Sequence, residues 1–189
     1  MSSTALPTVA SWRHEGARVG FEAAFFADDE RGLQVEGTTT ATEDGTPWVV
    51  DYLIRLDESW VTRYARITSR SRGATTVTVI EADGVGGWHI DGAPAPRLEG
   101  CLDLDLEASA MTNTFPVHRL RLETGRAMSA PAAYVRAAGP AVERLEQTYT
   151  RSTERHYDYT APEFGVACRL TYDQFGLILN YPGLATRIT

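Results

Sequence analysis

Apolar and polar residues alternate singly along most of the chain, the period of a strand with one buried face. The segment WVVDYLIRLD (48–57) is rich in β-branched and aromatic residues, and WVTRYARITSR (60–70) follows it after a short Glu58-Ser59 break, so the two predict a hairpin. ATTVTVIEAD (74–83) comes after Arg72-Gly73, and its Thr76 and Thr78 alternate with Val77 and Val79, giving one wet and one dry face. GWHIDG (87–92) predicts a short strand between glycine turns, and Ala93-Pro94-Ala95-Pro96 then breaks pairing. Farther on, 116–123, 132–137, 145–151, 154–160, 165–173 and 176–181 carry the same pattern. The alanines between 130 and 138 have helical propensity, but Pro131 and Gly139-Pro140 cut the run, and it is assigned as strand.

Strands thus recur roughly every 10 to 15 residues, with Gly, Pro, Asn and Asp between them. The expected class is all-β and mainly antiparallel, with little or no helix. A dozen or so such strands in one domain must close or roll up to hide their edges. The 189 residues fit one domain, 1–189, with residues 1–10 expected as a loose N-terminal arm.

One stretch concentrates charge, GCLDLDLEASAMTNTFPVHRLRLE (100–123). Residues i and i+2 of a strand share a face, so Asp103 and Asp105 lie together with Leu102, Leu104 and Leu106 opposite. The same rule groups Arg119 with Arg121, and Leu120 with Leu122. Brought side by side, the two segments join their leucines on one core face and their charges on the other, where the planar guanidinium fork matches carboxylate geometry. Three readings stay open at this point: charge pairing on a solvated face, a polar floor inside a ligand cavity, or a catalytic carboxylate pair. The last suits the pattern least, because glycosidases set their two acids on opposite sides of the bond they cut. Between the segments, Thr112, Asn113 and Thr114 suit a turn, and their polar side chains equally suit a sugar.

Charge and composition narrow the partners. The formal net charge is −7, which argues against duplex nucleic acid as a partner, and the sequence offers no polybasic patch for an anionic membrane. No apolar run approaches the length of a membrane span. The start MSSTALPTVASWRHEG has neither a basic segment nor an apolar core of a signal peptide, so a cytoplasmic location with reduced thiols at Cys101 and Cys168 is expected. His14, His89, His118 and His156 have no metal-ligand spacing, and no Gly-x-Ser-x-Gly elbow occurs, so neither a metal nor a cofactor is expected and no catalytic motif stands out. Asp83-Gly84-Val85-Gly86-Gly87-Trp88 leads into a strand and predicts a turn rather than a phosphate loop. Among the aromatics, Tyr157 and Tyr159 share a face and Tyr149 falls on a neighbouring strand, a trio suited to an amphipathic ligand. Of Arg63 and Arg66, which alternation places on opposite faces, Arg63 is favoured as the inward one.

The run GCLDLDLEASAMTNTFPVHRL resembles the signature of a bacterial family described as "putative glycolipid-binding". Further matches follow in order along nearly the whole chain: DESWVTR (57–63), the 83–92 stretch with Trp88, Ala133-Tyr134-Val135, Gln147-Thr148-Tyr149, Tyr157-Asp158-Tyr159 and GLILNYPGLATR (176–187). Two positions depart from the pattern: His118, where an arginine is commoner, and Ala110, where a proline is expected. The resemblance implies a spiral β-roll, a long antiparallel sheet curled into a half-open cavity. It also implies an amphipathic ligand, a glycolipid or fatty-acyl compound, with its tail on the apolar inner face. Its polar head would then meet Arg63, Asp103, Asp105, Asn113, Arg119, Tyr149, Tyr157 and Tyr159. The alternatives are a hydrolase using Asp103 and Asp105, and an interaction or structural module with a filled core.

Overall fold

The computed structural model describes residues 6–29, 32–139 and 141–188. Eight strands occupy the first half of the chain: β1 (Val9–His14), β2 (Arg18–Asp29), β3 (Gly32–Glu43), β4 (Thr46–Leu56), β5 (Thr62–Ser71), β6 (Ala74–Ala82), β7 (Trp88–Ile90) and β8 (Ala93–Pro94). After β9 (Asp103–Leu106) comes a short helix, α1 (Thr114–Leu120). Eight strands complete the chain: β10 (Ala127–Ser129), β11 (Ala132–Val135), β12 (Val142–Leu145), β13 (Thr148–Arg151), β14 (His156–Ala161), β15 (Val166–Tyr172), β16 (Ile178–Tyr181) and β17 (Ala185–Ile188). Fourteen of them form one antiparallel sheet in the order β10-β13-β14-β15-β16-β17-β1-β2-β3-β4-β5-β6-β7-β8. The sheet is curled and unclosed, with the short β10 and β8 at its edges, and the expected all-β class holds. A small second sheet, β12-β11-β9, includes the parallel pair β9–β11.

The residues explain the meander. Asp44-Gly45, Arg72-Gly73 and Asp91-Gly92 each place two successive positive φ angles at a hairpin tip, the backbone that two-residue turns require. In β4, Trp48, Val50, Tyr52, Ile54 and Leu56 are buried, while the residues between them face outward or are half-buried. Gly37 on β3 lies under the Tyr52 ring, where any Cβ would clash, so the glycine makes room for the tyrosine. The inner face of the sheet is covered by the 95–122 segment and the small sheet, and the described interior is one continuous apolar cluster.

Four expectations need correction. The segment 116–123 is helix rather than strand over its first part: Pro116 falls in the first turn, where its missing N–H costs nothing. Its alternation of Val117, Arg119 and Arg121 with Leu120 and Leu122 imitates a strand only in sequence. Asp103, Leu104, Asp105 and Leu106 are all buried, so β9 has no wet face; it is sandwiched between the large sheet and α1. In β6 Thr78 points inward and Val77 outward, because pairing of Ile67 with Thr78 and Ala65 with Ile80 fixes the parity. Of the arm expected at 1–10, residues 1–5 lie outside the described residues, and Val9 and Ala10 belong to β1.

Candidate functional site

The buried polar network is built around β9 and α1. Asp103 accepts two parallel hydrogen bonds from Arg119, from Nε at 2.9 Å and Nη2 at 2.6 Å. Burial raises the Asp103 carboxyl, and the Arg119 fork draws it back toward ionisation. Asp105 accepts from the Thr112 hydroxyl at 2.8 Å, while that hydroxyl accepts from the Leu106 N–H. Burial, with the Thr112 bond opposing it, pushes Asp105 up to about 6. Asn113 is the hub of the tyrosines: Tyr149 donates to its Oδ1 at 2.8 Å and Tyr172 to its carbonyl at 3.0 Å. Tyr149 lies directly across from Tyr159, and Tyr159 donates to Gln147 Oε1 at 2.9 Å. The structure thus brings together six of the expected site residues, Asp103, Asp105, Asn113, Arg119, Tyr149 and Tyr159, and satisfies them with one another or with neighbouring groups.

The other two go elsewhere. Arg63 is exposed, 3.7 Å from Asp57 and against Gly84, on the outside of the sheet. A register shift opposite Arg55 and Leu56 breaks the alternation at the start of β5, so the inward position expected for Arg63 is not realised. Tyr157 is buried edge-on against Tyr172 and opens onto a different feature, a cleft at one end of the roll. Arg121 also separates from Arg119: the chain turns into a left-handed conformation there (φ 46°), ending α1 and sending Arg121 to the cleft rather than to the carboxylates.

The cleft has a volume of about 890 Å³. Its apolar lining includes Leu6, Phe26, Leu33, Trp60, Val117 and Phe175. Its charged lining has three arginines, Arg121 from the end of α1 and Arg151 and Arg155 from the β13–β14 hairpin, and five carboxylates, Asp28, Asp57, Glu58, Glu154 and Asp173. Trp60 is held in a left-handed backbone conformation (φ 66°), uncommon for a bulky residue. Its turn is fixed by Asp57, whose Oδ1 accepts from the N–H groups of Ser59 and Val61 and whose carbonyl accepts from Trp60 N–H. The indole stacks flat on His118, ring centres 3.7 Å apart. Burial brings His118 down to about 4, so the imidazole is neutral at physiological pH. The cleft is connected to the buried network by α1, which turns Val117 and His118 toward one and Arg119 toward the other, and by Tyr172, which borders both.

A second buried cluster lies between β2, β4 and the 107–111 segment. Glu22 Oε1 accepts from Tyr52 at 2.6 Å and from Ser109, and its Oε2 is buried without a partner. Burial outweighs those hydrogen bonds and pushes Glu22 up to about 7. Beside it in register, Thr39 donates its only hydroxyl proton to the Ala108 carbonyl at 2.9 Å, so His14 Nε2, 2.8 Å away, is the donor to Thr39.

Sequence reasoning missed most of the cleft. Phe26, Leu33, Arg151 and Arg155 sit at strand ends and turns that only the curl of the sheet brings together. The departure at His118 and the charge at Arg121 were the two signals in the sequence that point there.

Comparison with known proteins agrees with the fold and the motif. A family model described as "Putative glycolipid-binding" matches residues 9–187. The crystal structure of a DUF1089-family protein from Pseudomonas aeruginosa is similar, with a TM-score of 0.78 and 31% identity over 88% of this chain and 92% of that one. No curated protein matches. With the matched model spanning nearly every strand of the roll, the chain belongs to the "Putative glycolipid-binding" family.

Proposed function

We propose that the protein binds an amphipathic small molecule, a glycolipid or fatty-acyl compound, in the cleft at the end of the roll. The observation that carries this reading is the cleft itself. Its volume of about 890 Å³ is that of a small-molecule site, and apolar side chains and charged groups line the same concavity. The tail lies on Phe26, Leu33, Trp60 and Val117, and the head meets the charged rim. Affinity comes from apolar burial, at about 25 cal/mol per Å2 before ordering costs.

Of the residues expected from sequence, Tyr157 touches the ligand through the cleft wall. Asp103, Asp105, Asn113, Arg119, Tyr149 and Tyr159 hold α1, and through it Val117 and His118, in place; they are positioning residues. Arg63 acts at one remove, through Asp57 and the turn that carries Trp60. A hydrolytic role for Asp103 and Asp105 gains no support from the geometry, since both are buried, partnered and away from the cleft lining.

The test is native mass spectrometry of the protein purified without detergent, followed by solvent extraction. A stoichiometric lipid-like adduct is expected, weakened in a variant that truncates a half-buried residue of the cleft lining, Phe175→Ala. Failure of the wild-type protein to retain or take up any amphiphile removes the reading and favours a module with a filled core.

A further inference from the structure

We infer that the outer face of β17, β1, β2 and β3 is a self-association surface, on which a second copy of this chain docks about a two-fold axis. The inference does not depend on the ligand reading. Outward positions of these strands carry Val9, Val19, Phe21, Phe25 and Ile188, each between 45% and 77% exposed. The register makes them one patch: Val9 lies across from Phe25, and Ser11 lies between Ala23 on one side and Ile188 on the other. Monomeric proteins rarely expose a contiguous apolar patch of this kind unless something docks on it. The same strand serves both sides of the sheet, since β2 turns Phe25 outward and Phe26 into the cleft, so a copy docked on the outer face leaves each cleft open.

The charges on the face identify the occupant. Among the described residues, Arg13 and Glu36 are the only charged side chains at outward positions of these four strands. Both are exposed; Arg13 has no carboxylate partner among the described residues, and Glu36 accepts an amide N–H from Gln34 at 2.8 Å, which does not neutralise it. They sit at opposite ends of a diagonal through Ala23. Arg13 pairs with Phe21, one strand to one side of Ala23 and two residues toward one end. Glu36 pairs with Phe25, one strand to the other side and two residues toward the other end. A two-fold axis lying in the interface over Ala23, perpendicular to that diagonal, therefore brings Arg13 of each copy onto Glu36 of the other. The strands of the two copies then cross steeply, as in orthogonal sheet packing. Ala23 at the centre is small, so the phenylalanines of both copies can pack around it. A bilayer offers no such match: an anionic surface repels a chain of net charge −7, and a neutral one leaves both charges unpaired.

The test is sedimentation equilibrium of the full chain, 20.8 kDa as a monomer, from about 1 to about 200 μM. A reversible dimer is expected, and Phe21→Ser/Phe25→Ser should abolish it without lowering the melting temperature of the monomer. Arg13→Glu and Glu36→Arg each place like charges together at two symmetric points and should weaken the dimer about tenfold or more. Combining them, Arg13→Glu/Glu36→Arg, should restore it, because the swapped charges pair across the same axis. A wild-type chain that stays monomeric throughout overturns the inference. So does a dimer that survives the loss of both phenylalanines, or one that the combined charge swap fails to restore, since either would lie on another surface. A monomer that instead co-sediments with phosphatidylcholine vesicles, and loses that binding in Phe21→Ser/Phe25→Ser, would assign the face to a lipid surface and overturn it as well.

Discussion

Replacing Glu22 by Gln should change the pH dependence of stability in a defined direction. The carboxyl is fully buried, with one oxygen bonded to Tyr52 and Ser109 and the other unpartnered, and its pKa rises from 4.5 in the unfolded chain to about 7. Between those values the folded protein keeps a proton that the unfolded chain has released. The contribution of Glu22 to stability is therefore fully present below 4.5 and is lost as pH rises through about 7. Each pH unit across that window is worth about 1.4 kcal/mol, so the whole window amounts to about 3 kcal/mol. The amide of Glu22→Gln does not titrate. It leaves an N–H group where Oε2 was unpartnered, a cost of about 1–3 kcal/mol that is the same at every pH. Urea denaturation of both proteins at several pH values separates the two effects. The variant is expected to gain about 3 kcal/mol relative to wild type between pH 4.5 and pH 8. Parallel curves across that range would show that Glu22 titrates normally, and the account of its burial would be wrong.

Three further predictions concern the groups around α1 and the sheet. Arg119→Ala strands the Asp103 carboxylate in the interior and should cost about 3–5 kcal/mol in chemical denaturation, with part of the loss recovered by adding Asp103→Asn; a loss below about 1 kcal/mol would mean that the pair does not hold α1. His118 has the opposite sign to Glu22: its pKa is lowered, so stability is lost as pH falls from 6.5 through about 4. His118→Phe keeps an aromatic ring on Trp60 and should flatten that acid limb, by at most about 3 kcal/mol; an unchanged limb would refute the burial of His118. Gly37→Ala drives a methyl into the Tyr52 ring and should destabilise by about 1–3 kcal/mol in thermal melts, whereas a neutral result would show that Tyr52 can move aside.

The fold class was legible because single-residue alternation survives in β4, β5, β14 and β15, whose inner faces are buried and whose outer faces are wet or half-exposed. It misled where both faces are covered. Asp103-Leu104-Asp105-Leu106 alternates perfectly, yet it lies between the large sheet and α1, so the pattern carried no information about exposure. The helix was hidden for a related reason: in Pro116–Arg121 the apolar and basic residues fall at a period that a short helical turn and a strand share over so few positions. The polar network was half visible, since Arg119 does meet Asp103. Its partners Thr112, Tyr172 and Gln147 come from elements whose approach depends on the roll. The cleft was the least legible part, because Phe26, Trp60, Arg121, Arg151 and Phe175 share no strand and no spacing; only the curl of the sheet makes them neighbours.

The most direct test of the binding account is to locate an amphiphile on the molecule. A fatty-acyl probe bearing a diazirine near the end of its chain is photolysed with the protein, and the labelled peptides are mapped by mass spectrometry. Label on Phe26, Leu33, Trp60 and Val117, competed by the same compound without the diazirine, is the predicted result. Label confined instead to the exposed outer-face residues Val19, Phe21 and Phe25 would place apolar binding outside the roll and contradict the account.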